Sequence, residues 1–149
     1  MNTRQAIVQH LLGLLEERIL ETEQAIASTR ESRDSESKSS AGDKYETGRA
    51  MAQIELDKLQ QQLQHNLSLK TELLKIDPKT VYDTIGFGTL VKTDKGNYFI
   101  AVALGKISIE NETFYAISLA SPIGQALKNG KSGDQLTFNG STIQILSIR

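Results

Sequence analysis

The chain has 149 residues, with 17 Lys+Arg against 18 Asp+Glu and a formal net charge of −1. That length suits one ordinary domain or two small ones, and a near-neutral balance excludes a generic nucleic-acid binder held by bulk charge. Hydrophobic residues make up 38% and charged ones 23%, as in soluble globular chains, while the lack of cysteine excludes disulfides, thiolate catalysis and Cys-type metal sites.

The first predicted element is a helix from about Thr3 to Ser32. Val8, Leu11, Leu12, Leu15, Ile19, Thr22 and Ile26 recur in steps of three and four, which lays one stripe along a helix. Glu16, Glu17, Glu21, Glu23 and Gln24 fill the other side. Gly13 interrupts the pattern at a cost of roughly 1 kcal/mol, which the stripe outweighs. A Ser-rich stretch with alternating charges, 30–41, is expected to form a flexible or frayed link, and its lack of proline leaves open that the first helix continues into it.

The second predicted helix starts at Gly42 or Thr47 and runs to Ile76. Its stripe is Ala52, Leu56, Leu59, Leu63, Asn66 or Leu67, Lys70, Leu73 and Leu74. Asp77-Pro78 ends it, because the residue before proline avoids helical geometry. Two such helices joined by a short polar link are expected to zip into an antiparallel coiled-coil hairpin, and about 30 residues make a rod of about 45 Å. His10 and His65 both fall among Gln and Leu on these helices and read as exposed surface residues.

From Val81 the pattern changes to short β-strands. Phe87–Val91, 97–102, 106–109, 113–117, 135–138 and 142–148 read as strands, with turns at Asp94-Lys95-Gly96-Asn97, Asn111 and Asn139-Gly140. Between them, Ser121 caps a short helix with Pro122 at its first position, and Asn129-Gly130 closes it. The predicted fold class is therefore α+β. Residues 1–77 form a coiled-coil hairpin with an acidic tip near 39–47, and residues 81–149 an antiparallel sheet with one short helix. The expected shape is a rod on a base. The aromatics of residues 81–149 sit mostly at strand positions, which argues against an apolar pocket.

The tip reads Gly42-Asp43-Lys44-Tyr45-Glu46. Asp43 and Glu46, three residues apart in a first helical turn, lie on one side of the helix. Hard oxygen ligands of this kind suit Mg²⁺, which keeps several waters and commonly takes one or two carboxylates from a protein. The same spacing is also that of a capping box, and acids there favour the helix dipole. Both uses are compatible with one residue pair. Tyr45 reads as an exposed tip aromatic or as a stacking surface for a base, and Lys44 and Arg49 as cations that suit phosphate. Arg30, Arg33 and Lys38 interleave with Glu31, Asp34 and Glu36, so that stretch reads as a solvated mixed-charge surface.

Ser121-Pro122-Ile123-Gly124-Gln125-Ala126-Leu127, followed by Gly130-Lys131 and Gly133-Asp134, resembles a signature in the C-terminal domain of Gre-type bacterial transcript-cleavage factors. Phe87-Gly88-Thr89-Leu90-Val91 is similar to that domain's opening strand, and Ile145-Leu146-Ser147-Ile148 to its closing one. The Gly-Asp-x-x-Glu run at 42–46 resembles the tip of the family's coiled coil. The resemblance spans the chain in order.

The resemblance implies an FK506-binding-protein-like (FKBP-like) base that docks on RNA polymerase, and a coiled coil that enters the polymerase's secondary channel. It implies that Asp43 and Glu46 help the polymerase hydrolyse backtracked nascent RNA, holding a Mg²⁺ shared with the polymerase site. The chain would then be a monomeric cofactor of another enzyme. Thr47-Gly48-Arg49-Ala50 departs from the family, which usually continues Asn-Ala-Glu-Tyr. The alternatives are a channel-binding regulator without cleavage activity and a helical-hairpin adaptor for an unrelated partner. No apolar run nears the ~20 residues of a bilayer crossing, and no secretory leader opens the chain, so a cytoplasmic protein with no membrane partner is expected.

Overall fold

The computed structural model describes the backbone of residues 2–39 and 43–149, and the side chains of 2–35 and 46–149. Two long helices, α1 (Thr3–Ser39) and α2 (Asp43–Leu74), precede a sheet of β1 (Leu90–Thr93), β2 (Gly96–Ile100), β3 (Gly105–Ile109), β4 (Glu112–Ile117), β5 (Gln135–Phe138) and β6 (Ser141–Ile148). A short helix, α3 (Pro122–Leu127), lies between β4 and β5. The α+β class and the helical hairpin are as the sequence predicts.

The expected link over 30–41 is corrected: α1 continues to Ser39. Residues 30–39 contain neither Gly nor Pro, and each serine costs well under about 1 kcal/mol relative to alanine in a helix. Polarity alone does not break a helix whose neighbours already fix its backbone. At its other end α2 tightens before stopping. Lys75 N–H donates to Glu72 O (3.1 Å) and Ile76 N–H to Leu73 O (3.2 Å), and Asp77 Oδ1 then accepts from Lys79 N–H (2.9 Å).

The strand order is β3-β4-β2-β1-β6-β5. The mostly antiparallel sheet with one short helix is as the sequence predicts; β2 and β4 add a parallel pairing, Tyr98 with Tyr115 and Ile100 with Ile117. After β2 the chain runs out to the sheet edge as β3 and returns as β4 between β3 and β2. Ala101 N–H to Ile117 O (2.8 Å) and Leu104 N–H to Ala116 O (3.2 Å) hold that crossing. The β3–β4 turn puts Glu110 and Asn111 at φ 51° and 66°, and the β5–β6 turn puts Asn139 and Gly140 at 50° and 79°. Positive φ at both central residues matches the right-handed twist of the strands, which is why asparagine marks both sites.

By packing the chain forms two compact units, residues 1–11 with 71–149, and residues 12–70. This groups residues differently from the expected 1–77 and 81–149. The first residues of α1 belong with the sheet because their side chains bind the segment before it: Asn2 Nδ2 donates to Pro78 O (3.0 Å), and Arg4 Nη1 to Pro78 O (3.1 Å) and Thr80 O (2.7 Å). The core of that unit gathers Ile85, Val91, Ile100, Leu127 and Ile145, with Ile123 of α3 packed against them.

Candidate functional site

The unit of residues 12–70 is a helical hairpin. Lys70 Nζ lies 3.8 Å from Glu16 Oε1, Ile26 clusters with Leu56 and Leu59, and Arg33 Nη1 donates to Gln53 Oε1 (3.2 Å). As the number rises along α1 it falls along α2, so the helices run antiparallel. The chain reverses between Ser39 and Asp43. At 1.5 Å per residue, the 28 positions of each helix in this unit span about 42 Å, and the reversal sits at the end remote from Leu12 and Lys70.

Burial along α2 follows Ala52, Leu56, Leu59, Leu63, Asn66, Lys70 and Leu73, alternating steps of four and three. This is the seam of a coiled coil. The facing seam of α1 carries Ile19, Thr22 and Ile26. Thr22 is only 9% exposed, and its hydroxyl donates to Arg18 O (2.8 Å). Polar seam residues cost stability and fix the register of the pairing.

Asp43 is the first residue of α2, so Asp43 and Glu46 occupy its first turn. Glu46 is exposed. It shares a shallow depression with Arg49, Ala50 and Gln53, with a volume of about 310 Å³. The side chains of Asp43, Lys44 and Tyr45 lie outside the described residues. Arg49 is exposed and follows Glu46 by three positions, hence on the same helix face.

Sequence reasoning missed a polar relay behind this surface. Arg33 Nη1 donates to Gln53 Oε1, and Gln53 Nε2 donates to Asp57 Oδ1 (3.0 Å), while Arg33 Nε also contacts Asp34 Oδ1 (3.4 Å). Arg33 was grouped with a solvated mixed-charge face, yet it ties the two helices together near their reversal. The available signal was its place in the α1 stripe, seven residues beyond Ile26. His10 and His65 are exposed on the helices, as read from sequence. Among the described residues no group of three or more His, Asp or Glu is arranged to hold a metal ion.

The string Ser121 to Asp134 performs folding chemistry in this structure. Ser121 Oγ accepts from Gly124 N–H (3.1 Å) and donates to Ser118 O (2.7 Å), which caps α3. A Cβ at Gly124 would collide with Ser118 O and stand 2.8 Å from Leu119 O, so only glycine lets this turn approach the preceding backbone. Asp134 Oδ2 accepts from Lys131 N–H (2.9 Å), and Gly133 between them takes φ 93°.

No family model matches the chain, and no curated protein matches it. Several solved structures match, among them the transcription factor Gfh1, at 18% identity over 99% of this chain and 94% of that one, with a TM-score of 0.34. A likeness of that strength carries no argument about function, which rests here on the residues themselves. Among the described residues, no helix is long and apolar enough to cross a membrane.

Proposed function

We propose that this chain is an RNA polymerase-binding transcription factor. Its hairpin reversal enters the secondary channel, and Asp43 and Glu46 assist hydrolysis of backtracked nascent RNA. The observation that carries the reading is the start of α2 at Asp43, directly after the reversal. It sets both acids in the first turn of α2, at the reversal end of a hairpin of about 42 Å. A hairpin of this length and width suits a narrow channel that a globular body cannot enter. The sequence resemblance to Gre-type factors, which runs through tip and base in order, supports the same reading.

In this reading the catalyst and the substrate cleft belong to the polymerase. Two carboxylates offer a Mg²⁺ ion at most a partial shell, which suits an ion that keeps waters and is completed by another protein's ligands. Asp43 and Glu46 are the residues that would hold it, and the ion would supply activation of water and stabilisation of the leaving oxygen. On this reading Glu46, which is exposed on its helix, would accept a hydrogen bond from the attacking water and orient it. Arg49, one turn further on, offers a cation to RNA phosphate, and Lys44 and Tyr45 would add a second cation and a stacking surface.

Titration of the purified chain into stalled elongation complexes, with and without Mg²⁺, tests the proposal. Short 3′ RNA fragments that depend on the chain and on Mg²⁺ are expected. Altered elongation without fragments would make it a channel-binding regulator instead, and failure to bind polymerase at all would make it an adaptor for another partner.

A further inference from the structure

We propose a second binding surface, independent of the hairpin and of the polymerase reading: the sheet face at Tyr98 and Tyr115 binds single-stranded RNA by base stacking. Strand register builds this surface. Tyr98 of β2 pairs with Tyr115 of β4, and Lys106 of β3 pairs with Tyr115, which puts the three side chains in one row on one face of the sheet. Ser108 and Thr113 pair two residues along and share that face. The two rings lie 6.0 Å apart, centre to centre, with their planes at 37°. Tyr115 is 40% exposed, and Lys106 and Ser108 are exposed. Tyr98 is half-buried and packs against the core of Val91 and Ile100, which anchors the row.

The face is open to a ligand. Gly96 stands two residues before Tyr98, and a Cβ there would lie 3.8 Å from Tyr98 Oη and 3.9 Å from Tyr115 Cε2. A longer side chain at that position would spread across both rings; glycine, at φ 144°, leaves them bare. Among the described residues Lys106 has no ion-pair partner, and the hydroxyls of Tyr98, Tyr115, Ser108 and Thr113 make no hydrogen bond. No Asp or Glu stands in either row. Glu112, next to Thr113 in β4, has the opposite strand parity and pairs with Lys92 (3.1 Å).

These groups favour RNA over other partners. Bases splayed from a single strand stack on aromatic side chains presented by neighbouring strands of a sheet, and an adjacent cation takes the phosphate. Stacking needs no bulk charge, in keeping with a net charge of −1. Side-chain hydroxyls beside the rings suit the ribose 2′-OH, the group that separates RNA from DNA. A protein partner would call for an apolar centre. The exposed large aliphatic side chains of the sheet unit, Leu74, Val81 and Leu146, lie outside these rows. Two rings hold two bases, so the ligand is a short unpaired segment bound with little sequence preference.

The test is an NMR titration of the full chain with tetrauridylate, following the ring protons of Tyr98 and Tyr115 and the Lys106 amide. All should shift, with a Kd on the order of 0.1–1 mM at low salt, and tetradeoxyuridylate should bind at least about threefold more weakly. Tyr115→Ala should weaken RNA binding at least about fivefold, while Tyr115→Phe, which keeps the stacking ring, should stay within about twofold of the unaltered chain. Lys106→Gln should weaken binding and reduce the slope of log K against log salt by about 0.7. Both positions are exposed, so melting temperatures should not change; if Tyr115→Ala nevertheless fails to fold, the ring shifts and Lys106→Gln decide. Ring protons unmoved by RNA, shifts confined to residues 43–49, equal affinity for the deoxy strand, or undiminished binding in Tyr115→Ala would each overturn the proposal. A proline-rich peptide that moves the rings where RNA does not would also overturn it, and would make this face a protein-docking surface.

Discussion

At Glu46 the chain places an exposed acid in the first turn of α2, where it suits the helix dipole and, on the proposed function, would help hold a metal ion. Removing its charge separates the two uses. Asp43→Asn or Glu46→Gln should abolish fragment production in the elongation-complex assay while polymerase affinity stays within a few-fold; a normal fragment yield from the double variant would exclude the assigned role. Gly124 has the opposite character, since its importance is purely steric. Gly124→Ala drives a Cβ against two backbone carbonyls that have no rotamer to change, and should cost about 1–3 kcal/mol in urea unfolding. Tyr98 adds a pH dependence. Burial, and then the neighbouring Tyr115, raise its pKa above the usual 10.0. The unfolded chain therefore loses this proton first, and stability should fall as pH rises above about 10. Tyr98→Phe should flatten that part of the profile, measured as melting temperature against pH.

Among the elements, the hairpin has the clearest physical logic and the weakest seam. Thr22 on α1 and Asn66 on α2 line one shallow groove between the helices, where apolar side chains would pack better. Thr22→Val with Asn66→Leu should raise stability by about 1–2 kcal/mol, read from denaturant midpoints. The Arg18 carbonyl keeps its helical bond in that variant, so no buried acceptor is orphaned. If the pair instead lowers stability, these residues do more than fix register. The helix periods and both asparagine turns were legible in the sequence because they are local: a stripe every three or four residues, and positive φ at defined positions. The end of α1 was not, since serine and alternating charge suit a loop and a solvated helix equally well.

For the whole molecule, the decisive fact is that the sheet unit includes both ends of the helical region, residues 1–11 and 71–77. Excision of 12–70, with a short turn joining 11 to 71, should leave a cooperatively unfolding domain, because the core around Ile85, Val91, Ile100, Leu127 and Ile145 is intact. Circular dichroism melting tests this, and a non-cooperative melt would show that the sheet depends on the hairpin. On the proposed function, the excised protein should compete with the full chain for polymerase and yield no fragments.

The sequence alone determined the two helices, the order of strands along the chain, the capped short helix and the acids at 43 and 46. Each follows from periodicity, turn chemistry or spacing over a few residues. Tertiary structure decided the rest: the parallel pairing of β2 with β4, the relay from Arg33 through Gln53 to Asp57, and the burial of Arg4 among carbonyls. Those depend on contacts between residues far apart in the chain, and a local pattern carries no record of which distant partner will satisfy a strand edge or a charge.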